Sequence, residues 1–276
     1  MPSSYYLAEL SATEMREAAA RKPVILLPMG SFEDQGPHAP MGDYMSADRV
    51  ARLIAEQASA EGTETYVAPV VPFGGADYFG YMPGGIALSQ STLRAVVDDM
   101  LECLLRHNLT RVVFINGHAG NCGVINDATQ KVWLDKGIII PALYLWRVSY
   151  ALLPEIIGKE MAAKTSGHGC NPLTSIVMHL FPDLVRPEYM PSGTPAPREV
   201  WGLPVTGFTS LAIGEGSITV PLDGGDTIRN GVSKGDPHLC TAQTGAALVE
   251  KLIRIGADVA AHVVSHSDPE TGKAIL

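Results

Sequence analysis

Glu33, Asp34, Gln35, His38 and Asp43 all lie within eleven residues of the chain. Gly36, Pro37, Pro40 and Gly42 stand among them, so the segment is a shaped loop and not a helix. It follows an apolar run at residues 24–27, bounded by Pro23 and Pro28, which reads as a buried strand. Open α/β sheets place their ligands at the C-terminal ends of such strands. A polar loop after a strand is also the ordinary form of a solvated turn. A second cluster bears on the choice. Residues 111–115 form another buried run and lead directly into Asn116-Gly117-His118-Ala119-Gly120-Asn121. Two carboxylate oxygens and one imidazole nitrogen from neighbouring strand ends, with room left for water, make an open site for zinc or another divalent ion.

The elements that must position these residues alternate in type. Helical spacing predicts helices over 8–21, opened by Ser11 or Thr13, and over 45–58, with Met45, Val50, Ile54 and Ala55 on one face. Asp43 or Ser46 can cap the second of these, so Asp43 can serve as ligand, as cap or as both. Further helices are expected over 89–107, 121–135, 151–166, 172–181 and 241–264. Strands are expected over 65–71 and 138–145, the latter ending at Trp146, with a short one over 217–222. The first helical amides after His118 favour an anion or oxyanion. Residues 74–85, GGADYFGYMPGG, form a glycine and aromatic loop. There Tyr78, Phe79 and Tyr81 either line a pocket or pack the loop. Residues 186–238 carry many Pro and Gly with little periodicity, a stretch whose length points to function or an oligomer contact. Short buried strands alternating with helices predict an α/β fold, a three-layer αβα arrangement with a mainly parallel sheet. No linker divides the chain, so residues 1–276 are expected to be a single domain.

Composition excludes several classes. Hydrophobic residues are 46% and charged residues 18%, enough apolar material for a large core. Lys plus Arg is 20 against 29 for Asp plus Glu, a net charge of -9, which argues against nucleic acid and anionic membrane surfaces. A small anionic substrate held by a local Arg is compatible with it. The N-terminal segment has no basic start followed by an apolar region, and no stretch reaches the roughly 18 apolar residues of a membrane span. Cys103, Cys122, Cys170 and Cys240 are widely spaced, which suits reduced thiols in a cytoplasmic protein.

Four ordered segments resemble the creatininase (creatinine amidohydrolase) family. They are Gly30-Ser31-Phe32-Glu33-Asp34-Gln35-Gly36-Pro37-His38 with Pro40-Met41-Gly42-Asp43, then Asn116-Gly117-His118-Ala119-Gly120-Asn121, then Gly167-His168-Gly169 with Thr174-Ser175, and last Gly231-Val232 with Gly235-Asp236-Pro237. The resemblance spans about residues 20 to 255. It implies a creatininase-like domain and a metal-dependent hydrolase. It implies Glu33, Asp43 and His118 as metal ligands, with zinc, or alternatively manganese, as the ion. It implies His168 as the catalytic histidine and Glu33 as a second catalytic group. Trp146 resembles a family tryptophan near the substrate, and Tyr78 and Gln35 are expected beside it. His38 is expected to orient the loop or a ligand.

The chain also departs from the family. Gln35 stands where the family's two-metal site has a second His, and Gly120 stands where it has a Glu. The spacing before Asp43 is one residue shorter. Phe79 replaces a family His, and Gly167 and Leu173 replace two family Glu residues. These departures predict one ion per chain and a substrate other than creatinine. Family members open cyclic amides, remove formyl groups, cleave a peptide or open cyclic polyol-derived ketones. A small cyclic amide or cyclic ketone is therefore the expected substrate. The alternatives are creatinine amidohydrolase proper and a catalytically inactive binding or assembly subunit. The resemblance further implies a homo-oligomer, often a hexamer.

Overall fold

The computed structural model describes residues 4–193, 196, 198–228 and 231–276. Its first helix, α1 (Ala12–Ala20), starts where Ser11 and Glu14 form a capping box, each side chain accepting from the other's backbone N–H. β1 (Val24–Met29) is buried along its whole length. Its side chains alternate between two cores, Val24 and Leu26 to one and Ile25 and Leu27 to the other. A strand that is apolar on both sides must lie in the middle layer of a layered domain.

α2 (Tyr44–Ala60), β2 (Thr65–Val67), α3 (Gln90–Leu105), β3 (Val112–Asn116), α4 (Cys122–Lys136) and β4 (Ala142–Tyr144) follow in turn. The four strands are parallel, in the order β2-β1-β3-β4. α1, α3 and α4 cover one face with Ala18, Leu93, Val97, Leu101, Val124 and Ala128. The opposite face is covered by α2, by α5 (Leu145–Ile157), by α7 (Leu173–Leu180) and by the long α9 (Ala242–Ser265), with a short α6 (Lys159–Thr165) between α5 and α7. The fold is three-layer αβα around a parallel sheet. Burying each large aliphatic side chain contributes about 1.5–3 kcal/mol, so truncating Ile25 or Leu26 to Ala should be among the most damaging changes. Among the described residues no helix is long and apolar enough to cross a membrane.

The chain steps from β1 to β2 on one side and then back past β1 to β3 on the other. The connections therefore part between β1 and β3, where such sheets open a crevice at their carboxyl ends. Met29 is level with Asn116 in the ladder, and the Gly117 amide donates to the Met29 carbonyl. The loop carrying Glu33 and Asp43 thus leaves the sheet beside the one carrying His118.

The structure differs from the sequence-based expectation in four places. The strand expected over 65–71 ends at Val67, before Pro69 and Pro72. The strand expected over 138–145 pairs only at Ala142–Tyr144, and Trp146 lies in the first turn of α5, not at a strand end. The helix expected to begin at 151 therefore starts six residues earlier. Part of the stretch expected to be irregular, 186–238, forms a second sheet. It comprises β5 (Glu199–Val200), β6 (Leu203–Gly207), β7 (Ser210–Ile213) and β8 (Gly216–Thr219), all antiparallel, followed by the one-turn α8 (Gly224–Thr227). These strands are short and half-exposed, so they lack the apolar runs that betray β1 and β3.

Candidate metal centre and its cavity

Glu33, Asp43 and His118 converge at the β1–β3 crevice, with one ligand atom from each lying within 4.8 Å of the others. His118 Nδ1 is 3.2 Å from Glu33 Oε1 and 3.5 Å from Asp43 Oδ2. Two ligands about 2.1 Å from a tetrahedral zinc stand about 3.4 Å apart, so the spacing fits one divalent ion. The imidazole is already oriented for that role. Its Nε2 lies 2.9 Å from the Gly75 carbonyl, an acceptor only, so Nε2 carries a proton and donates it there. Nδ1 is left to face the carboxylates. This outer hydrogen bond is the usual means of setting a metal-bound imidazole's tautomer.

Asp43 is held on its other oxygen. Oδ1 accepts from the Ser31 amide at 2.7 Å and the Ser31 hydroxyl at 3.1 Å, which leaves Oδ2 toward His118. Asp43 sits at the N-cap position of α2 but makes no capping bond, so ligand geometry, not capping, sets its side chain. Gly30 precedes Ser31 because a Cβ there would stand 2.5 Å from Asp43 Oδ1. The Trp146 indole N–H donates to the Gly117 carbonyl and lies 3.5 Å from Asp43 Oδ2. Asn116 and Asn121 brace the same turn, Asn116 accepting from the His118 amide and Asn121 donating to the Gly30 carbonyl.

Burial opposes charge on His118, but Glu33 and Asp43 beside it outweigh burial and hold its pKa well above the ordinary value. A cation entering here competes with a proton for Nδ1, as expected for a metal site. Burial pushes the Glu33 carboxyl up, and the His118 charge opposes that rise. Gln35 donates its amide to Glu33 Oε1 at 3.3 Å.

Nothing comparable surrounds a second ion. Among the described residues the triad is the one cluster of three His, Cys, Asp or Glu with metal-ligand spacing. A Cβ on Gly120 would stand 2.2 Å from the Gly75 carbonyl oxygen and 2.6 Å from His118 Nε2. The bond that fixes His118 therefore occupies the space a side chain at position 120 would need.

The triad opens into a cavity of about 730 Å³ whose wall includes Gln35, Tyr78, Trp146 and His168. His168 lies on a turn between α6 and α7 where no side chain fits on either neighbour. A Cβ on Gly167 would stand 2.3 Å from the Lys234 carbonyl, and one on Gly169, which has φ +71°, would stand 2.4 Å from the Gly231 carbonyl. Ser233 grips the His168 backbone in both directions, its hydroxyl accepting from the His168 amide and its amide donating to the His168 carbonyl. The ring stacks on Phe79 with centroids 4.7 Å apart and meets Phe208 edge-on at 5.5 Å. Burial drives its pKa down to about 3, partly offset by the Asp34 carbonyl that faces the ring. Nε2 is buried without a partner among the described residues.

His38 does not touch the metal ligands. It is fully buried and pairs with the Thr174 hydroxyl on α7 at 3.1 Å, so it ties the loop to that helix. Cys122 and Cys170, both near the site in sequence, do not line the cavity, and all four cysteines are free. Residues that sequence reasoning did not single out complete the wall: Val205, Thr206, Gly207 and Phe208 of β6 and its turn, with Arg198 and Lys234. Their one signal was the length of the irregular stretch that holds them.

The chain is 27% identical to the mycofactocin precursor peptide peptidase of Mycobacterium tuberculosis over 275 residues, 92% of this chain and 94% of the relative. It is 26% identical to the creatinine amidohydrolase of Pseudomonas putida over 198 residues, 67% of this chain and 75% of the relative. Its fold matches the crystal structure of creatinine amidohydrolase (creatininase) with a TM-score of 0.73 at 23% identity, covering 94% of this chain and 98% of that one. A zinc–zinc form of a creatininase mutant and a manganese creatininase match with TM-scores of 0.71 and 0.69 at 22% and 23% identity, covering 93% of this chain in both cases and 96% and 97% of theirs. The family model for creatininase, creatinine amidohydrolase, matches residues 8–259, and the chain belongs to that family.

Proposed function

We propose that this chain is a hydrolase that holds one divalent ion, zinc or alternatively manganese, on Glu33, Asp43 and His118, and cleaves an amide bond in a small, preferably cyclic, substrate. The observation that carries the reading is the triad itself. Its spacing suits an ion, its imidazole tautomer is set by Gly75, and its open side faces a cavity of ligand size. Bound there, such an ion would supply a Lewis acid for the substrate carbonyl and lower the pKa of water.

The chain's own groups divide the remaining work. Ser31 and Gly75 hold Asp43 and His118 in orientation, so the ligand set is ready before substrate arrives. Glu33 has the more accessible carboxylate of the two, with a side chain 12% exposed, and can take a proton from water at the cavity floor. His168 stays neutral near pH 7, and its buried Nε2, without a partner among the described residues, would hydrogen-bond to the leaving nitrogen. Trp146 lends its indole N–H to the Gly117 carbonyl, so its ring serves as a wall against which a planar group can lie. Tyr78 and Gln35 complete the substrate's surroundings.

An amide is preferred to a cyclic ketone because both curated relatives bear names that denote amide cleavage. Their different substrates, a precursor peptide and creatinine, leave the substrate of this chain to be found by assay. The test is a screen of cyclic amides and cyclic polyol-derived ketones against the native chain, His118→Ala and His168→Ala, with metal content measured on each. The expected result is amide turnover that is abolished in His118→Ala and slowed by about 10²–10⁴ in His168→Ala with its metal retained. Normal turnover by a metal-bearing His118→Ala chain sinks the assignment. Metal loss in His168→Ala makes that residue a ligand instead. Turnover of ketones alone replaces C–N cleavage with C–C cleavage.

A further inference from the structure

The cavity wall carries side chains of both charges. Among the described residues, the carboxylates on its wall are Glu33 and Asp43, both proposed above as ligands of the ion. Its lysine and arginine are Lys234 and Arg198, and neither is paired with a carboxylate among those residues. A divalent ion would offset the two carboxylates, and Lys234 and Arg198 would remain on the wall as cations without an ion pair among the described residues. The chain as a whole carries a net charge of -9. A cationic pocket in an anionic protein concentrates anions locally against the prevailing field.

Arg198 is tied to backbone through its guanidinium, and Lys234 is anchored through its own backbone and stem. Arg198 directs Nη1 to the carbonyls of Gly225 and of Ile228, the latter at 2.9 Å. Those acceptors are neutral, so the guanidinium keeps its full charge. Its Nε–H and Nη2 hydrogens have no partner among the described residues, and that edge has the fork geometry that binds a carboxylate through two parallel bonds. Lys234 packs its carbonyl and its stem against Gly167, where an added Cβ would stand 2.8 Å from Lys234 Cγ. The adjacent Ser233 clasps the His168 backbone. Lys234 is thereby held beside His168 on the cavity wall, as an exposed residue.

We propose that Arg198 and Lys234 form an anion subsite that holds a carboxylate on the substrate, so that the substrate is an acidic amide. This rests on the cavity being the substrate site of the hydrolase proposed above. On this reading the ion would take the scissile carbonyl, and the two cations would fix the molecule's direction in the pocket.

The test compares two five-membered cyclic amides that differ only in a carboxylate, 5-oxoproline and 2-pyrrolidinone. Their affinities are measured by calorimetry or ligand-detected NMR on the native chain, His118→Ala, Arg198→Lys and Arg198→Met/Lys234→Met. Metal content and melting temperature are recorded for each. Charge-assisted bonds of this kind support a preference of about tenfold or more for the carboxylated member. That preference should appear in the native chain and survive in His118→Ala. It should fall to near unity in the double variant, be partly kept in Arg198→Lys, and shrink as salt rises. Absence of preference in the native chain, including failure of both compounds to bind, overturns the subsite. So does a preference that persists in a folded double variant, or one that disappears with the metal, since the carboxylate would then be bound by the ion. A native chain without metal that still shows the preference defeats the hydrolase reading and leaves the subsite standing.

Discussion

The two walls of the cavity are built differently. One is the carboxyl edge of the parallel sheet, where His118 and Asp43 are each 3% exposed and every polar atom of the two side chains faces a partner. The other is the antiparallel sheet, whose β6 alternates between exposed and half-buried residues and whose Trp201 is 79% exposed. A reacting centre needs ligand atoms held to within tenths of an ångström, which only a packed and fully bonded wall supplies. A wall that chooses among substrates needs no such precision and can lie on a peripheral element. On the proposed function the first wall sets the chemistry and the second selects what it acts on.

That contrast can be broken by acid. Burial pushes His38 down to about 4 and His168 down to about 3, against an ordinary 6.5. In this window the unfolded chain binds more protons than the folded one, so stability must fall as pH drops from about 6.5 toward 4. His118 acts with the opposite sign, since its raised pKa gives stability that is fully present below 6.5 and lost as pH rises. Below 6.5 the His118 contribution is already complete, so the two neutral imidazoles set the trend, a loss of about 2 kcal/mol or more by pH 4.5. Melting temperatures across that range check this, and a flat profile would mean that the two rings are not held neutral.

Gly120→Ala probes the packed wall next. The added carbon collides with the Gly75 carbonyl and His118 Nε2. The expected cost is about 1–3 kcal/mol, with weakened metal binding. An unchanged melting curve and unchanged metal affinity would show that the loop yields freely and that a second-ion ligand is tolerated there.

Ser31→Ala sharpens the contrast with a smaller effect. Asp43 keeps the backbone bond and loses the hydroxyl at 3.1 Å. Metal affinity should fall about tenfold with little change in fold, as measured by competition with a chelator. Trp201→Ser, on the other wall, should change stability by no more than about 0.5 kcal/mol and leave metal affinity untouched, because its ring is mostly in water. A large loss from Trp201→Ser would mean that the antiparallel sheet is as integral as the parallel one.

Legibility in the sequence followed the same division. β1 and β3 announce themselves because strands buried on both faces must be apolar at every position. Their loops then stand out as the polar residues between glycines and prolines. Trp146 was placed at a strand end because Ala142, Leu143 and Leu145 are apolar and continuous with it, although the backbone turns helical at Leu145. The antiparallel sheet was hidden because strands of two to five residues, half-exposed and rich in turn formers, carry too little periodicity to separate from loop. Arg198, Lys234 and Phe208 were missed for that reason. No local pattern could show that residues so far along the chain return to His168. The bond from His118 to the Gly75 carbonyl was equally invisible, since a backbone acceptor has no residue type.

The measurement that bears most directly on this account is the metal content per chain of the purified protein, taken by elemental analysis beside His118→Ala. The account predicts close to one divalent ion in the native chain and none in the variant. Two ions in the native chain, none after reconstitution, or one retained by His118→Ala would each contradict it.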